Sequence, residues 1–437
     1  MDGHLESTSI LAERVPDADG LEGRRIGYTY GCPAAHCPGS GQDCNEVEFL
    51  VSAGEASGDL YAAGVVSHLR ELAPDSRFYG CAGPKLRGAG VEAVVDAANL
   101  SVVGLAEVVG HLPRIYGEYR KLVRLARERR PDAALLVDNP DFHLRLARHL
   151  HRMNIPVFYL VAPQAWAWRE GRVRAIRQST KKLFCLFPFE EEWFRKRAVD
   201  ATYIGHPLAA MARPSCSRAE FFRKHGLGEA QPAIVLLPGS RMGEARRHLP
   251  YLLEAVAALR RKLEFAAVLA TPEGFGTKAA LANFRERISA LSIQVIENET
   301  WDAIAHADVA LAASGTVTIE AAVLGTPMVT FYRVNPLSWR LGRRLVKVPF
   351  LSMVNLAAGS EIVPELMQDE MTATSLAAAA EQLLTNPERA ARMKADLARV
   401  RESLTCAGDP LRRAAELTMA AVGRRSIQEK MGTYARH

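Results

Sequence analysis

The sequence predicts an α/β protein made of two doubly wound domains in series, which face a cleft. Its length of 437 residues is greater than that of most domains built around a single hydrophobic core. Short apolar runs alternate with longer helical stretches, a pattern typical of parallel sheets covered by helices on both faces. A proline-containing stretch at 205–214 interrupts the alternation, which then starts afresh near residue 234. This restart indicates a second domain.

The apolar runs place the strands and set the domain boundaries. In the first domain they occupy residues 47–53, 77–81, 133–137, 157–161, 183–186 and 202–204. In the second they occupy residues 234–237, 265–270, 293–296, 309–312 and 328–331, followed by helical stretches at 375–384, 387–404 and 410–422. We therefore expect a poorly ordered extension at 1–46, a first domain at 47–205, a second domain at 206–425 and a polar tail at 426–437.

The composition is that of a soluble globular protein. Hydrophobic residues make up 48% and charged residues 24%, which argues against a disordered chain or a membrane-embedded body. No uncharged apolar run approaches the roughly 18 residues that span a bilayer, and the first residues lack the pattern of a signal peptide. The seven cysteines are scattered and odd in number, which argues against a disulfide framework. We expect a cytoplasmic protein.

Positive charge is concentrated in two places, although the formal net charge is only +6. Residues 114–130 contain seven arginines and lysines against two glutamates. A second cluster comprises Arg340, Arg343, Arg344 and Lys347. Such clusters face anionic lipid, phosphate-bearing substrates or nucleic acid, or form solvated helix faces, and the charge pattern alone leaves these alternatives open.

Two strand-to-helix turns in the second domain suit a nucleoside diphosphate. In LLPGSR, Gly239 and Ser240 permit close approach of the backbone to an anion, and Arg241 adds a guanidinium fork suited to phosphate. In SGTVTIE, residues Ser314, Gly315 and Thr316 suit a helix start that holds a diphosphate, and Glu320 suits ribose hydroxyls. Each turn alone is also compatible with an ordinary tight turn or a capping box. Two in one domain favour the nucleotide.

Two rival ligand sites are weakly supported. The GFGTKA stretch at 274–279 loosely matches a dinucleotide fingerprint, but it does not follow the first strand of its domain. Cys32, His36, Cys37 and Cys44 lack a standard zinc spacing, so we predict no metal site.

The first domain offers carboxylates and aromatic residues at strand ends. Glu55 and Asp59 in GEASGD follow the opening strand, where a helix-capping role is the competing explanation. Asp138 in LLVDNPDF ends an apolar strand, a position dry enough to tune its basicity and close enough to the cleft to take a hydroxyl proton. Trp166 and Trp168 in PQAWAWR line either the core or a pocket.

Ten segments together resemble one enzyme family. They are GEASGD, CAGPKLRGAG, SVVGLAEVVGHLP, DNPDFHLRLA, PQAWAWR, FPFEEEWF, YIGHP, LLPGSR, SGTVTIE and MVNLAAG. In order and spacing they are similar to the lipid-A-disaccharide synthase family over residues 47–422. The resemblance implies a GT-B glycosyltransferase fold, in which two Rossmann-like domains face a cleft, the first holding the acceptor and the second the nucleotide sugar.

The resemblance also implies a reaction. A 2,3-diacylglucosamine unit passes from UDP-2,3-diacylglucosamine to 2,3-diacylglucosamine 1-phosphate, giving a β-1,6-linked disaccharide phosphate and UDP. The implied stereochemistry is inverting, and neither a metal nor a cofactor is implied.

Carried over residue by residue, the resemblance implies that Asp138 deprotonates the 6-hydroxyl of the acceptor and that Arg241 stabilises departing UDP. Glu55 and Asp59 are implied as catalytic helpers. The implied donor surface comprises Gly239, Ser240, Arg241, Ser314, Gly315, Thr316, Glu320, Arg333 and Asn355. The acceptor pocket comprises Asn139, Trp166 and Trp168. Asn139 and His143 depart from the family pattern, in which alanine or serine and asparagine are more usual.

Both implied substrates carry acyl chains, so we expect docking at the cytoplasmic face of the inner membrane of a Gram-negative bacterium. The first candidate surface comprises Leu105, Val108, Val109, Leu112, Ile115 and Tyr116, beside the first basic cluster. The second is residues 337–348, where Trp339, Leu341, Leu345 and Val346 alternate with basic residues. Either surface could instead pack into the core. We expect no nucleic-acid partner, and a homo-oligomer remains an open alternative.

Three other functions remain compatible with the sequence. Another UDP-sugar GT-B glycosyltransferase of the cell envelope would share the donor loop but lack the PQAWAWR and DNPDF pair. A UDP-N-acetylglucosamine epimerase would share the fold and donor but need no acylated acceptor. A non-catalytic lipid-binding protein is the third alternative.

Overall fold

The computed structural model describes residues 47–100, 105–228, 231–272, 279–335, 339–340 and 348–434, with the side chains of all of these except 105–112, 279–280 and 424–434. The predicted N-terminal extension with its cysteine and histidine group lies outside the described residues. So does almost all of the GFGTKA stretch, and so does most of the second membrane surface.

The first sheet is parallel throughout and has seven strands. The strands are β1 (Glu48–Ala53), β2 (Arg77–Ala82), β3 (Glu92–Asp96), β4 (Ala133–Val137), β5 (Val157–Leu160), β6 (Lys182–Cys185) and β7 (Ala201–Tyr203). They pair in the order β3-β2-β1-β4-β5-β6-β7. The order reverses between β1 and β4, which places a crevice outside their carboxyl ends.

Seven helices accompany this sheet along the chain. They are α1 (Ala56–Leu72), α2 (Pro84–Gly88), α3 (Leu105–Arg129), α4 (Pro140–Arg152), α5 (Arg172–Ser179), α6 (Pro188–Arg195) and α7 (Pro207–Met211). A short 3-10 turn covers Ala97–Asn99. Strands β1, β4 and β5 are buried along almost their whole length because helices cover both faces of the sheet.

The second sheet repeats this plan with six parallel strands. They are β8 (Ala233–Leu237), β9 (Ala266–Thr271), β10 (Ile293–Glu297), β11 (Val309–Ala313), β12 (Met328–Tyr332) and β13 (Glu365–Met367). Their order is β10-β9-β8-β11-β12-β13, so the switch point lies between β8 and β11. Two doubly wound domains confirm the predicted fold class.

Ten further helices follow β7 and α7 in the described part of the chain. They are α8 (Arg218–Lys224), α9 (Met242–Leu259), α10 (Ala279–Ala282), α11 (Arg285–Ala290), α12 (Thr300–Ala305), α13 (Thr316–Leu324), α14 (Met353–Ala358), α15 (Ala373–Thr385), α16 (Pro387–Leu404) and α17 (Pro410–Tyr434). A second 3-10 turn covers Gln368–Glu370.

The last helix departs from the predicted domain division. Residues 206–425 were assigned to the second domain, but α17 packs against α1 of the first domain. A Cβ on Gly64 of α1 would lie 2.4 Å from Cδ1 of Leu411 on α17, so the glycine allows the two helices to approach closely. Helix α17 also continues to Tyr434, into the segment predicted as a polar tail. The C-terminal chain therefore links the second domain back to the first.

In the part of the chain that the structure describes, no helix is both long and apolar enough to cross a membrane. Four cysteines there, Cys81, Cys185, Cys216 and Cys406, carry free thiols.

Candidate active site

The predicted catalytic and donor-binding motifs meet at the carboxyl ends of β1, β4, β8 and β11. These strands flank the switch point of each sheet, where ligands bind in doubly wound folds. Glu55 follows β1 in the first domain, and Arg241 follows β8 in the second. Oε1 of Glu55 lies 2.6 Å from Nη2 of Arg241. This ion pair joins the two domains across the cleft.

Asp138 lies directly after β4, in a strained turn. Asp138 and Asn139 both adopt positive φ, at +54° and +43°, which is uncommon for residues other than glycine. Pro140 then starts α4 at its first turn, where its missing N–H costs nothing. Gly54 gives Asn139 room, because a Cβ there would lie 2.7 Å from Asn139 Nδ2. Two such conformations cost about 1–3 kcal/mol each, so surrounding contacts must hold the turn.

The contacts that hold this turn converge on the backbone of Asp138. Its N–H donates to the Leu160 carbonyl at 3.0 Å. Its carbonyl accepts from the Tyr159 hydroxyl at 2.5 Å and from Nδ1 of His143 at 2.7 Å. These three hydrogen bonds hold the backbone of Asp138 in place at the edge of the cleft.

His143 is completely buried and bridges Asp138 to Ser52. Since the Asp138 carbonyl only accepts, Nδ1 carries the proton and Nε2 accepts from the Ser52 hydroxyl at 2.8 Å. Burial lowers the pKa of His143 to about 4, so the ring is neutral near pH 7. In the sequence, His143 stands out only as a departure from the family pattern. The structure shows it as a support of the predicted base.

The electrostatic surroundings suit Asp138 for taking a proton. Burial, and next the negative charge of Glu55, raise the pKa of Asp138 to about 6, against the lowering effects of the Asn139 N–H and Arg241. A carboxylate with this pKa is ionised near pH 7, yet binds a proton more readily than an exposed aspartate. Asp138 is therefore equipped to act as a general base.

The LLPGSR turn holds Arg241 between two glutamates. Gly239 has φ of +113°, and a Cβ there would lie 2.7 Å from Glu244 Oε2, so only glycine fits comfortably. Ser240 is exposed at the tip. Nη1 of Arg241 lies 3.5 Å from Glu244, which also accepts from the Tyr332 hydroxyl at 2.9 Å. Glu244 and Tyr332, absent from the sequence prediction, thus help to orient Arg241.

His248 ties the LLPGSR turn to the segment after β12. Its Nδ1 donates to the Pro238 carbonyl at 2.7 Å, so its Nε2 accepts from the N–H of Arg333 at 3.2 Å. The guanidinium of Arg333 itself lies over the Tyr251 ring and donates to the Gln368 carbonyl. The Arg333 backbone therefore lies beside the LLPGSR turn, while the Arg333 side chain already has protein partners.

The SGTVTIE turn leaves a helix start without a side-chain cap. The Ser314 hydroxyl donates to the Leu351 carbonyl at 3.2 Å instead of capping α13. Gly315 is the N-cap residue and supplies no side chain, and Thr316 is exposed in the first turn. Of the three residues predicted at this helix start, Gly315 is thus the N-cap, and the Ser314 side chain makes no capping hydrogen bond. The uncapped helix end remains suited to an anion.

Glu320 lies one turn further along α13 and approaches the first domain. Burial raises the pKa of Glu320 to about 7, against a lowering hydrogen bond from Trp301. Tyr61 of α1 lies within electrostatic reach of both Glu320 and Asp138, and its buried hydroxyl has no partner among the described residues. Tyr61 was not predicted from the sequence, where it is one aromatic residue within an apolar helix face.

Asn355 is fully buried and fully hydrogen-bonded within its own loop. Its Nδ2 donates to the Val363 carbonyl and to Glu365, and its Oδ1 accepts from the N–H groups of Ile362 and Val363. All four hydrogen bonds of the amide are therefore used. This corrects the prediction that the Asn355 side chain contacts the UDP-sugar. The side chain instead shapes the loop beside α13 and has no hydrogen-bonding group left for a ligand.

Asp59 is likewise occupied by the protein. Its carboxylate accepts from the backbone N–H groups of Gly83, Lys85 and Leu86, at 2.8, 2.8 and 3.3 Å. It thus satisfies the otherwise unpaired amides at the start of α2. Asp59 therefore has a capping role at α2, not at its own helix α1 as the competing explanation had it, and these contacts oppose the predicted catalytic role.

The two tryptophans of PQAWAWR have different surroundings. Nε1 of Trp166 donates to buried Glu190 at 3.1 Å, and its ring packs edge-on against Phe189, so Trp166 anchors the loop rather than lining an open pocket. Trp168 is half-buried, and Arg169 and Arg172 lie 4.2 and 5.3 Å from its ring. Only Trp168 of the pair retains a place at the acceptor side.

A possible metal-ligand set lies outside the cleft, where the ligand atoms of Cys216, Asp302 and His306 fall within 4.8 Å of one another. The Asp302 carboxylate already accepts from Ser215 and from the Cys216 N–H, and His306 Nε2 donates to the Cys216 carbonyl at 2.9 Å. These bonds account for the cluster as a brace between the loop before α8 and α12.

Solved structures of known proteins share the fold. A UDP-GlcNAc 2-epimerase from Neisseria meningitidis, bound to UDP-GlcNAc, superposes with a TM-score of 0.56 at 13% identity, covering 87% of this chain and 100% of that one. A glycosyltransferase from Rickettsia africae superposes with a TM-score of 0.52 at 12% identity, covering 87% and 98%. At such identities the likeness establishes the GT-B fold alone.

Sequence relatives are more specific. A family model described as lipid-A-disaccharide synthetase matches residues 49–416. A lipid-A-disaccharide synthase from Solibacter usitatus is 58% identical over 357 residues, covering 82% of this chain and 93% of the relative. A second, from Koribacter versatilis, is 44% identical over 359 residues with the same coverage. The chain belongs to the lipid-A-disaccharide synthase family of hexosyltransferases.

Proposed function

We propose that the protein transfers 2,3-diacylglucosamine from UDP-2,3-diacylglucosamine to the 6-hydroxyl of 2,3-diacylglucosamine 1-phosphate. The products are a β-1,6-linked disaccharide 1-phosphate and UDP. The observation that carries this proposal is the meeting of Asp138 and Arg241 in one cleft, where Arg241 lowers and Glu55 raises the pKa of Asp138. A base from the first domain and a phosphate-binding cation from the second are the two groups that the transfer needs.

Asp138 acts on the acceptor. Its carboxylate takes the proton of the 6-hydroxyl as that oxygen forms a bond to the anomeric carbon of the donor. The bond from the anomeric carbon to the diphosphate breaks, and its electron pair leaves with UDP. Because the attacking oxygen enters opposite the leaving group, one displacement inverts the configuration.

Arg241 and the helix starts act on the leaving group. Arg241 exchanges Glu55 for the diphosphate and stabilises the negative charge that develops on UDP. The uncapped start of α13, at Gly315 and Thr316, adds backbone N–H groups. Glu320, on the same helix, accepts hydrogen bonds from the ribose hydroxyls in this proposal. Gly239 and Ser240 let the diphosphate approach the backbone.

A labelled-substrate assay tests this function against its rivals. The protein is incubated with radiolabelled UDP-2,3-diacylglucosamine, with and without 2,3-diacylglucosamine 1-phosphate, and the products are separated. We expect a labelled disaccharide phosphate only when the acceptor is present. An epimerised donor without acceptor would indicate the epimerase, and an unchanged, tightly bound donor would indicate a lipid-binding protein.

We further propose that the enzyme works while bound peripherally to the cytoplasmic face of the inner membrane, through α3. Tyr116 is 60% exposed, Ile115 is half-buried, and Arg114 and Arg120 are exposed beside them. Leu105, Val108, Val109 and Leu112 precede them on the same helix, with side chains outside the described residues. An apolar stretch flanked by cations suits an anionic membrane surface.

A further inference from the structure

We propose that Arg169 and Arg172 form the binding site for the anomeric phosphate of the acceptor. The inference rests on the proposed function, because it assigns the phosphate of that acceptor to a place in the first domain. Neither arginine was a predicted site residue. Both belong to the loop and helix start after β5, the strand next to the one that ends at Asp138.

The two guanidinium groups converge on one carboxylate oxygen. Nη1 of Arg169 lies 2.8 Å and Nη2 of Arg172 lies 2.6 Å from Oδ1 of Asp141. Both guanidinium groups also lie over the Trp168 ring, which holds them on a rigid surface. Two arginines fixed side by side with converging N–H groups are an arrangement suited to phosphate oxygens.

The cluster has both spare charge and spare donors. Two cations share one anion, and the neighbouring Glu170 is already paired with Arg197 at 2.9 Å. The remaining guanidinium N–H groups of Arg169 and Arg172 have no hydrogen-bond acceptor among the described residues. The Asp141 side chain is 68% exposed, so it can turn into solvent when a phosphate dianion arrives.

The cluster lies near the base, because Asp141, which both arginines contact, is in the first turn of α4, directly after the Asp138–Asn139 turn. Burial raises the pKa of Tyr159, and the charges of Asp138, Arg172 and Asp141 also act on it. The Tyr159 hydroxyl itself donates to the Asp138 carbonyl. The base and the arginine cluster therefore both lie at the start of α4. In the acceptor, the 6-hydroxyl and the anomeric phosphate lie on either side of the ring oxygen, so one sugar ring has to connect the base with the phosphate site.

Acceptor binding with and without the phosphate tests the site. The host protein is the full-length Asp138→Asn variant, which prevents turnover. Its affinity for 2,3-diacylglucosamine 1-phosphate and for 2,3-diacylglucosamine is measured in mixed detergent micelles. We expect the phosphate to improve affinity roughly tenfold or more, and this preference to fall below about threefold after adding Arg169→Gln and Arg172→Gln. Affinity for the phosphate-free acceptor should stay unchanged.

Two control variants separate a phosphate site from a loop brace. Arg197→Gln removes an arginine that also stacks on a tryptophan and pairs with Glu170 of the same loop, and it should leave the phosphate preference intact. Arg169→Gln alone removes the more exposed of the two arginines, so it tests the site even if Arg172→Gln destabilises the fold. A phosphate preference that persists in Arg169→Gln and in the double variant overturns the proposal. Equal losses of affinity for both acceptors also overturn it.

Failure of the phosphate site and failure of the proposed function would give different results. Disaccharide synthesis by the unmutated enzyme tests the reaction, whereas the arginine variants test recognition of the phosphate. No disaccharide, combined with a phosphate preference that depends on the arginines, would reject the reaction and keep the site. Normal disaccharide synthesis, combined with a phosphate preference that the arginine substitutions do not change, would keep the reaction and reject the site.

Discussion

Oε1 of Glu55 lies 2.6 Å from Nη2 of Arg241, although the two residues belong to different domains. We propose that Arg241 meets the diphosphate, and Glu55 is the second contributor to the raised pKa of Asp138. One ion pair thus connects the leaving-group side of the cleft to the base. Any ligand that draws Arg241 away from Glu55 changes the electrostatic surroundings of Asp138 as well.

Replacing Glu55 with Gln should shift the pH dependence of catalysis. The negative charge of Glu55 raises the pKa of Asp138, so its removal lowers that pKa. Because the base works in its deprotonated form, the acidic limb of kcat/KM, expected near pH 6, should move to lower pH. Glu244→Gln is the matched control, since Glu244 also contacts Arg241 but does not act on Asp138. An acidic limb at the same pH in the wild type and in Glu55→Gln would contradict the electrostatic coupling of Glu55 to Asp138.

Replacing His143 should separate positioning from binding. His143→Leu removes the donor that holds the Asp138 carbonyl, so we expect kcat to fall roughly tenfold or more with the KM of both substrates little changed. His143→Asn restores an N–H donor and should recover most of the loss. Steady-state kinetics and melting temperatures of both variants provide the check. Equal kcat in the Leu and Asn variants would show that the hydrogen bond has no role in catalysis.

Replacing Asp59 should affect stability more than chemistry. Asp59→Ala leaves three amides of the α2 start, two of them buried, without their carboxylate, at a cost of about 1–3 kcal/mol. We expect a lower denaturation midpoint and, well below it, a kcat within a few-fold of the wild type. Denaturant titration and kinetics at low temperature measure the two quantities. An unchanged midpoint with a large loss of kcat would restore the catalytic assignment.

The membrane surface on α3 can be tested with vesicles. Changing Val108, Val109 and Leu112 to Ser, with or without Tyr116→Ser, should reduce sedimentation with anionic vesicles at low salt. Leu72→Ser is the matched control, because Leu72 is 41% exposed and lies outside both predicted surfaces. Binding should also weaken with salt, since each basic residue near anionic headgroups contributes about 1 kcal/mol. Equal sedimentation of the wild type and the α3 variants would exclude this surface.

The sequence predicted the fold well because buried parallel strands are continuous apolar runs. The runs at 133–137 and 309–312 fall within β4 and β11, since both strands are buried along their length. Strands β3 and β13 were missed. Glu92 and Ala93 of β3 are exposed, and β13 has three residues that are all half-buried, so neither edge strand has an apolar signal. Packing of α17 on α1 depends on contacts such as that between Glu71 and Arg412, which are 341 positions apart, and local patterns do not reveal these.

The positions of the candidate site residues could be predicted where a residue directly follows an apolar strand, whereas their roles stay predictions. Asp138 and Arg241 lie at strand ends, and the structure brings their motifs together. Asp59 and Asn355 were misassigned because their side chains are taken by backbone groups that only the folded chain brings near. His248 was missed for the same reason, because its partners Pro238 and Arg333 follow two different strands, β8 and β12.

The most direct test of the account is the turnover of Asp138→Asn, measured alongside its affinity for UDP. Asparagine preserves the shape of the side chain but cannot take the proton of the acceptor hydroxyl, while the UDP contacts proposed for Arg241 remain. We expect kcat to fall by roughly two or more orders of magnitude with unchanged UDP affinity. Turnover close to that of the wild type would contradict the central claim that Asp138 is the base.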